Sequence, residues 1–116
     1  MINRKKIGSK GEDYAVNFLF ANGYEVLQKS YRFSRGEIDI IAQKKDVLIF
    51  IEVKTRKNAE YGYPETFVSE AQQDRIHRAA EEYIHQKEWL GEIRFDIIAI
   101  LWDRDKPIID HFEDAF

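Results

Sequence analysis

Gly36-Glu37-Ile38-Asp39-Ile40-Ile41-Ala42, followed by Phe50-Ile51-Glu52-Val53-Lys54-Thr55-Arg56, is the stretch that decides how this chain folds. Both segments are rich in β-branched residues. Ser34-Arg35-Gly36 supplies the turn into the first and Lys44-Lys45-Asp46 separates the two, so they read as consecutive strands of a meander. Side chains alternate along a strand. Val47, Ile49, Ile51 and Val53 then share one face, and Leu48, Phe50, Glu52 and Lys54 the other. Apolar residues on both faces mark a central strand covered on both sides. A buried lone carboxylate must be paired, protonated or metal-bound, so Glu52 requires a partner.

Asp39 repeats the anomaly, set between isoleucines one strand earlier and thirteen residues before Glu52. On neighbouring strands the two acids can lie side by side, where one must hold a proton or both must hold a cation. Two acids and a lysine at one sheet edge suit phosphodiester hydrolysis. The acids bind Mg²⁺ or Mn²⁺ through oxygen, the metal acidifies a water, and the lysine stabilises developing charge. A structural alternative stands beside this. Glu52 and Lys54 can form an i, i+2 ion pair, and Asp39 can cap a turn or meet Arg56.

Working outward, Tyr24 to Phe33 reads as the first strand, Glu37 to Ala42 as the second and Val47 to Thr55 as the third. Residues 56–67 read as a loop, and Arg94 to Trp102 as a fourth strand. The first helix is expected to start near Ser9, with Ser9 and Glu12 as a capping box and Asn22-Gly23 as its stop. A second helix is expected from Ser69, with Ser69 and Gln72 as another capping box and Ile76, Ala79, Ala80, Tyr83 and Ile84 as its buried stripe. Residues 1–8 read as a basic tail, and 103–116 as a C-terminal tail packing back on one domain spanning 1–116. The order α-β-β-β-α-β gives an α/β fold with a mixed sheet and helices against it.

Composition narrows the function classes. The 116 residues contain no cysteine, which excludes disulfide scaffolds, thiolate zinc sites and cysteine nucleophiles. The longest apolar run, Ile97 to Trp102, is far short of the roughly 20 residues of a spanning helix. No membrane association and a cytoplasmic location are expected. The net charge is −3, and residues 103–116, with five acids and two bases, account for all of it. A neutral body argues against strong nonspecific DNA binding but allows it where bound metal adds positive charge.

The two quoted segments, with Gly11-Glu12-Asp13-Tyr14-Ala15, Gly23-Tyr24, Gly62-Tyr63-Pro64 and Arg94-Phe95-Asp96 in order, resemble the YraN-like family of small bacterial proteins. The resemblance covers residues 8–102, and Ala115-Phe116 fits the family's usual ending. That family is similar to Holliday-junction resolvases and to the restriction-endonuclease-like fold. The resemblance therefore implies a PD-(D/E)xK site, with Asp39 and Glu52 as metal ligands, Lys54 as catalytic lysine, Glu12 completing the site and the Val53 carbonyl as a further ligand. Where relatives often carry lysine, this chain has Gln72, for which capping competes with contact to phosphate.

Arg56, Lys57, Tyr61 and Tyr63 are candidate nucleic-acid contacts. Asp96 reads as a partner of Arg94 rather than a metal ligand. His77, His85 and His111 show no metal spacing and receive no site role. Trp89 and Trp102 read as core or rim. The leading expectation is a Mg²⁺- or Mn²⁺-dependent endonuclease acting on DNA, branched or otherwise structured, with a two-fold homodimer expected by analogy. Two alternatives remain: a nucleic-acid-binding module of the same fold that cuts little or nothing, and a partner-binding protein.

Overall fold

A computed structural model describes residues 4–56, 68–103 and 106–116, with side chains from Lys10 onward except that of Asp103. Five strands and two helices follow in the order α1 (Arg4–Ala21), β1 (Glu25–Phe33), β2 (Gly36–Lys44), β3 (Val47–Arg56), α2 (Glu70–Lys87), β4 (Glu92–Asp103) and β5 (Lys106–Phe112). They form one mixed sheet of order β1-β2-β3-β4-β5. The β3–β4 pair is parallel and the rest are antiparallel, with α2 as the crossover that a parallel pair requires. This is the expected α/β arrangement with one strand added.

β3 lies at the centre and is covered on both faces. On one side Ile49 and Ile51 join Ala15 and Leu19 of α1, with Ile40, Ile98 and Ile100. On the other side Leu48 and Phe50 join Ile76, Ala79, Ala80 and Tyr83 of α2. Each of these side chains is 4% exposed or less, which is why β3 carries apolar residues at consecutive positions.

Helix ends follow local chemistry. Gly23 takes φ +84 after α1, and Tyr24 N–H donates to Leu19 O (2.9 Å). Glycine tolerates that left-handed geometry without strain. Ser69 caps α2 by accepting Gln72 N–H (3.2 Å).

Two boundaries differ from expectation. α1 begins at Arg4, so residues 4–8 are helical rather than a tail. Ser9 is therefore an interior helical residue and cannot be an N-cap, which removes the capping-box explanation of Glu12. The expected C-terminal tail contains β5, which pairs with β4 from Ile97↔Phe112 to Asp103↔Lys106. Beyond β5, Ala115 N–H donates to Phe95 O (2.7 Å), and the Phe116 ring lies 5.5 Å from that of Phe95. Among the described residues no helix is long and apolar enough to cross a membrane.

Candidate functional site

The site arises where β2 and β3 part. Their ladder runs from Lys44↔Val47 to Ile40↔Ile51, and no pair follows. At the next position the Asp39 carboxylate accepts the Val53 N–H (2.8 Å), a backbone donor left over when the ladder ends. Strand alternation breaks at the same point. Ile38 and Ile41 both pack on the α2 side, while Ile40 packs on the α1 side. Ser30, on β1 opposite this point, has φ +54 and makes no ladder pair. The distortion leaves Asp39 and Glu52 lining one cleft, close enough for the charge of Glu52 to act on the Asp39 carboxyl.

Glu52 is 8% exposed. Its Oε1 accepts from Gln72 Nε2 (3.0 Å) and lies 3.6 Å from Lys54 Nζ. Lys54 Nζ also reaches Gln72 Oε1 at 3.5 Å, the long limit of a hydrogen bond. Gln72 thus bridges acid and amine with the two ends of one amide. Its backbone N–H is capped by Ser69, but among the described residues its side chain makes no reciprocal bond to Ser69 and turns to Glu52 and Lys54 instead, so the capping box is only half formed.

Burial pushes both acids up. For Asp39 burial is the largest cause and the Glu52 charge the next, opposed by the Val53 N–H, and its carboxyl rises from 3.8 to about 7. Glu52 also rises through burial, against the pull of Lys54 and of its hydrogen bonds. Near neutral pH the metal-free pair therefore shares a proton, in a place where a divalent cation could sit instead.

A cleft of about 230 Å³ opens over the pair, lined by Asp39, Glu52 and Gln72, by Arg35, Glu37 and Arg75, and by Ile76. Exposed arginines are common, and nothing in the sequence set Arg35 and Arg75 apart; their shared position emerges only from the packing of the β1–β2 turn on α2. A β-carbon on Gly36 would collide with the Arg75 carbonyl, so glycine permits this close approach.

Glu12 does not line the cleft. It approaches from the α1 side, where a β-carbon on neighbouring Gly11 would strike Thr55 of β3. Among the described residues Glu12 makes no hydrogen bond or ion pair. Its carboxyl is raised by burial first and then by the charges of Asp39 and Glu37, so it lies within electrostatic reach of Asp39. The half-buried Arg56 donates to Thr55 O (3.1 Å). Lys57, Tyr61 and Tyr63 lie outside the described residues.

Asp96 builds a separate structural hub. Arg94 binds it with two nitrogens, each 2.9 Å away, and Asp114 N–H adds a third donor (3.0 Å). His111 Nε2 lies 2.7 Å from Asp96 Oδ2, so this histidine does have a partner, though a structural one. Spacing could not show the contact, because it depends on β5. His77 packs on Phe95 (4.4 Å between centroids), and His85 is exposed. Trp102 packs edge-on to Tyr14 at the rim of the α1-side core, and Trp89 donates to Glu92 O (2.9 Å).

Fold and site together define a class: a small five-stranded α/β protein with a carboxylate pair and a Glu-x-Lys strand at the split between two central strands. The chain belongs to the uncharacterised protein family UPF0102, whose family model matches residues 11–100. A UPF0102 protein of Flavobacterium psychrophilum is 43% identical over 100% of this chain and 98% of its own. One from Dictyoglomus turgidum is 50% identical over 86% of each chain, and one from Geobacter metallireducens 37% identical over 99% of this chain and 95% of its own.

Proposed function

We propose that this protein is a metal-dependent endonuclease that hydrolyses DNA phosphodiester bonds. The observation that carries the reading is the Asp39 and Glu52 carboxylates lining one polar cleft, with Lys54 3.6 Å from Glu52. The donor set fits Mg²⁺ or Mn²⁺. Among the described residues no three His, Asp or Glu side chains group to hold a metal; the ligand set that the family resemblance implies is the two carboxylates with the Val53 carbonyl. A cation that keeps several waters and takes oxygen from its substrate suits so sparse a set. When bound, the metal supplies Lewis-acid polarisation of a phosphate and a more acidic water.

The chain's own groups supply the rest. Gln72 and Lys54 hold the Glu52 carboxylate in one orientation. Lys54 offers an ammonium to charge developing on phosphate. Glu12 adds negative charge near Asp39, which favours a cation there. Resemblance to the PD-(D/E)xK nucleases supports the same roles.

The test is incubation of purified protein with supercoiled, linear and four-way-junction DNA in Mg²⁺ or Mn²⁺, beside Asp39→Ala and Lys54→Ala. Metal-dependent cleavage lost in both variants supports the proposal. Cleavage that survives in both, or none under any condition, defeats it. A second reading, binding without cutting, draws on the engagement of Lys54 with Gln72. It predicts salt-sensitive binding with no nicking in either metal.

A further inference from the structure

We propose that Arg35 and Arg75 form a clamp for backbone phosphates of DNA at the rim of the carboxylate cleft. The inference rests on the nucleic-acid reading of that cleft and adds to it the residues that would grip the strand. Both arginines line the cleft and both are exposed. Three carboxylates line the same cleft, yet among the described residues neither arginine forms a salt bridge or hydrogen bond; Glu37 pairs instead with Arg32, 3.4 Å away. Two guanidinium groups are thus uncommitted beside acids that could have neutralised them.

Their relative placement is built into the backbone. The turn carrying Arg35 presses Gly36 against the carbonyl of Arg75 itself, so two residues distant in sequence are fixed as neighbours by main-chain contact. A guanidinium presents a planar fork of donors matched to phosphate oxygens. The cleft explains why such a pair would be needed. An anionic backbone brought towards Glu37, Asp39 and Glu52 is repelled unless positive charge flanks its path. The neutral body supplies no general attraction, so local cations must do so.

The experiment measures binding apart from cleavage. Fluorescence anisotropy of a labelled duplex oligonucleotide is followed in EDTA across a salt series, for wild type, Arg35→Gln, Arg75→Gln and the double variant. Arg78→Gln, exposed on α2 but outside the cleft lining, is the control for surface charge. Each cleft variant should weaken binding several-fold and flatten the slope of log K against log salt by about 0.9, the double variant by about 1.8. Unchanged slopes, an equal effect of Arg78→Gln, or no binding by wild type at low salt would overturn the clamp. Cleavage assays on the same proteins separate the two proposals. Flattened slopes without cleavage leave the clamp standing and remove the hydrolase; cleavage with unaltered slopes does the reverse.

Discussion

Replacing Asp39 by asparagine is expected to stabilise the metal-free protein above neutral pH, although it removes a residue at the centre of the site. The folded state raises the Asp39 carboxyl from 3.8 to about 7, chiefly through burial and the adjacent Glu52 charge. Between those values the folded chain holds a proton that the unfolded chain has released, so stability falls as pH rises. The contribution is complete below about 3.8 and lost once pH passes about 7. At 1.36 kcal/mol per tenfold change in proton affinity, the full effect is at most about 4 kcal/mol. About 3 kcal/mol of it falls between pH 5 and pH 8. Asparagine keeps an oxygen for the Val53 N–H and offers an amide donor to Glu52, without titrating.

Thermal and urea unfolding followed by circular dichroism, in EDTA from pH 5 to pH 8, measures the difference between variant and wild type. The histidines and surface acids are common to both and cancel. The variant should gain on wild type steadily as pH rises, and at about 4 °C per kcal/mol the gap between melting temperatures should widen by up to about 12 °C. A gap that stays constant across this range, or an asparagine variant less stable at pH 8, would show that the two carboxyls do not share a proton.

Mg²⁺ should act in the opposite sense on wild type. At ten times its dissociation constant it should stabilise by about 1.4 kcal/mol, and Asp39→Asn should lose most of that gain in the same melts. Gly36→Ala should destabilise by about 1–3 kcal/mol, through the collision with the Arg75 carbonyl, and weaken DNA binding in the anisotropy assay. Asp96→Asn should cost about 3–5 kcal/mol in urea unfolding, because Arg94 loses a partner that is 0% exposed. The Asp96 carboxyl is held below its usual range by His111 and Arg94 despite burial. Its stabilisation is therefore present above the ordinary carboxylate range and lost as pH falls, and the asparagine variant should lack that acid-side decline.

Much of the sheet could be read directly because β3 is apolar at consecutive positions, a pattern that only burial on both faces explains. The Asp39–Glu52 pairing followed from placing β2 beside β3, but simple alternation does not produce it. The contact depends on a break in the ladder that no residue pattern announces. The start of α1 is misplaced by the sequence pattern because Ser9 and Glu12 match a capping box by spacing alone, and spacing cannot tell an N-cap from an interior serine. β5 escaped because Pro107 and scattered acids mask a short edge strand. The Asp96–His111 contact follows from that strand and was hidden with it. Gln72 could be placed near the site, but its bridging of Glu52 and Lys54 needs both helix position and rotamer.

The margins of the sheet bear on how copies of this chain behave when crowded together. β1 is interrupted at Leu27, where the register slips between Val26 and Gln28, and again at Ser30 with its left-handed backbone. β5 opens with exposed Lys106 and with Pro107, which has no amide hydrogen to offer an incoming strand. Among the described residues both borders are broken in this way, which makes them poor templates for recruiting another polypeptide edge to edge. The irregularity at Ser30, opposite Asp39, thus lies beside the cleft and also discourages runaway strand-by-strand association.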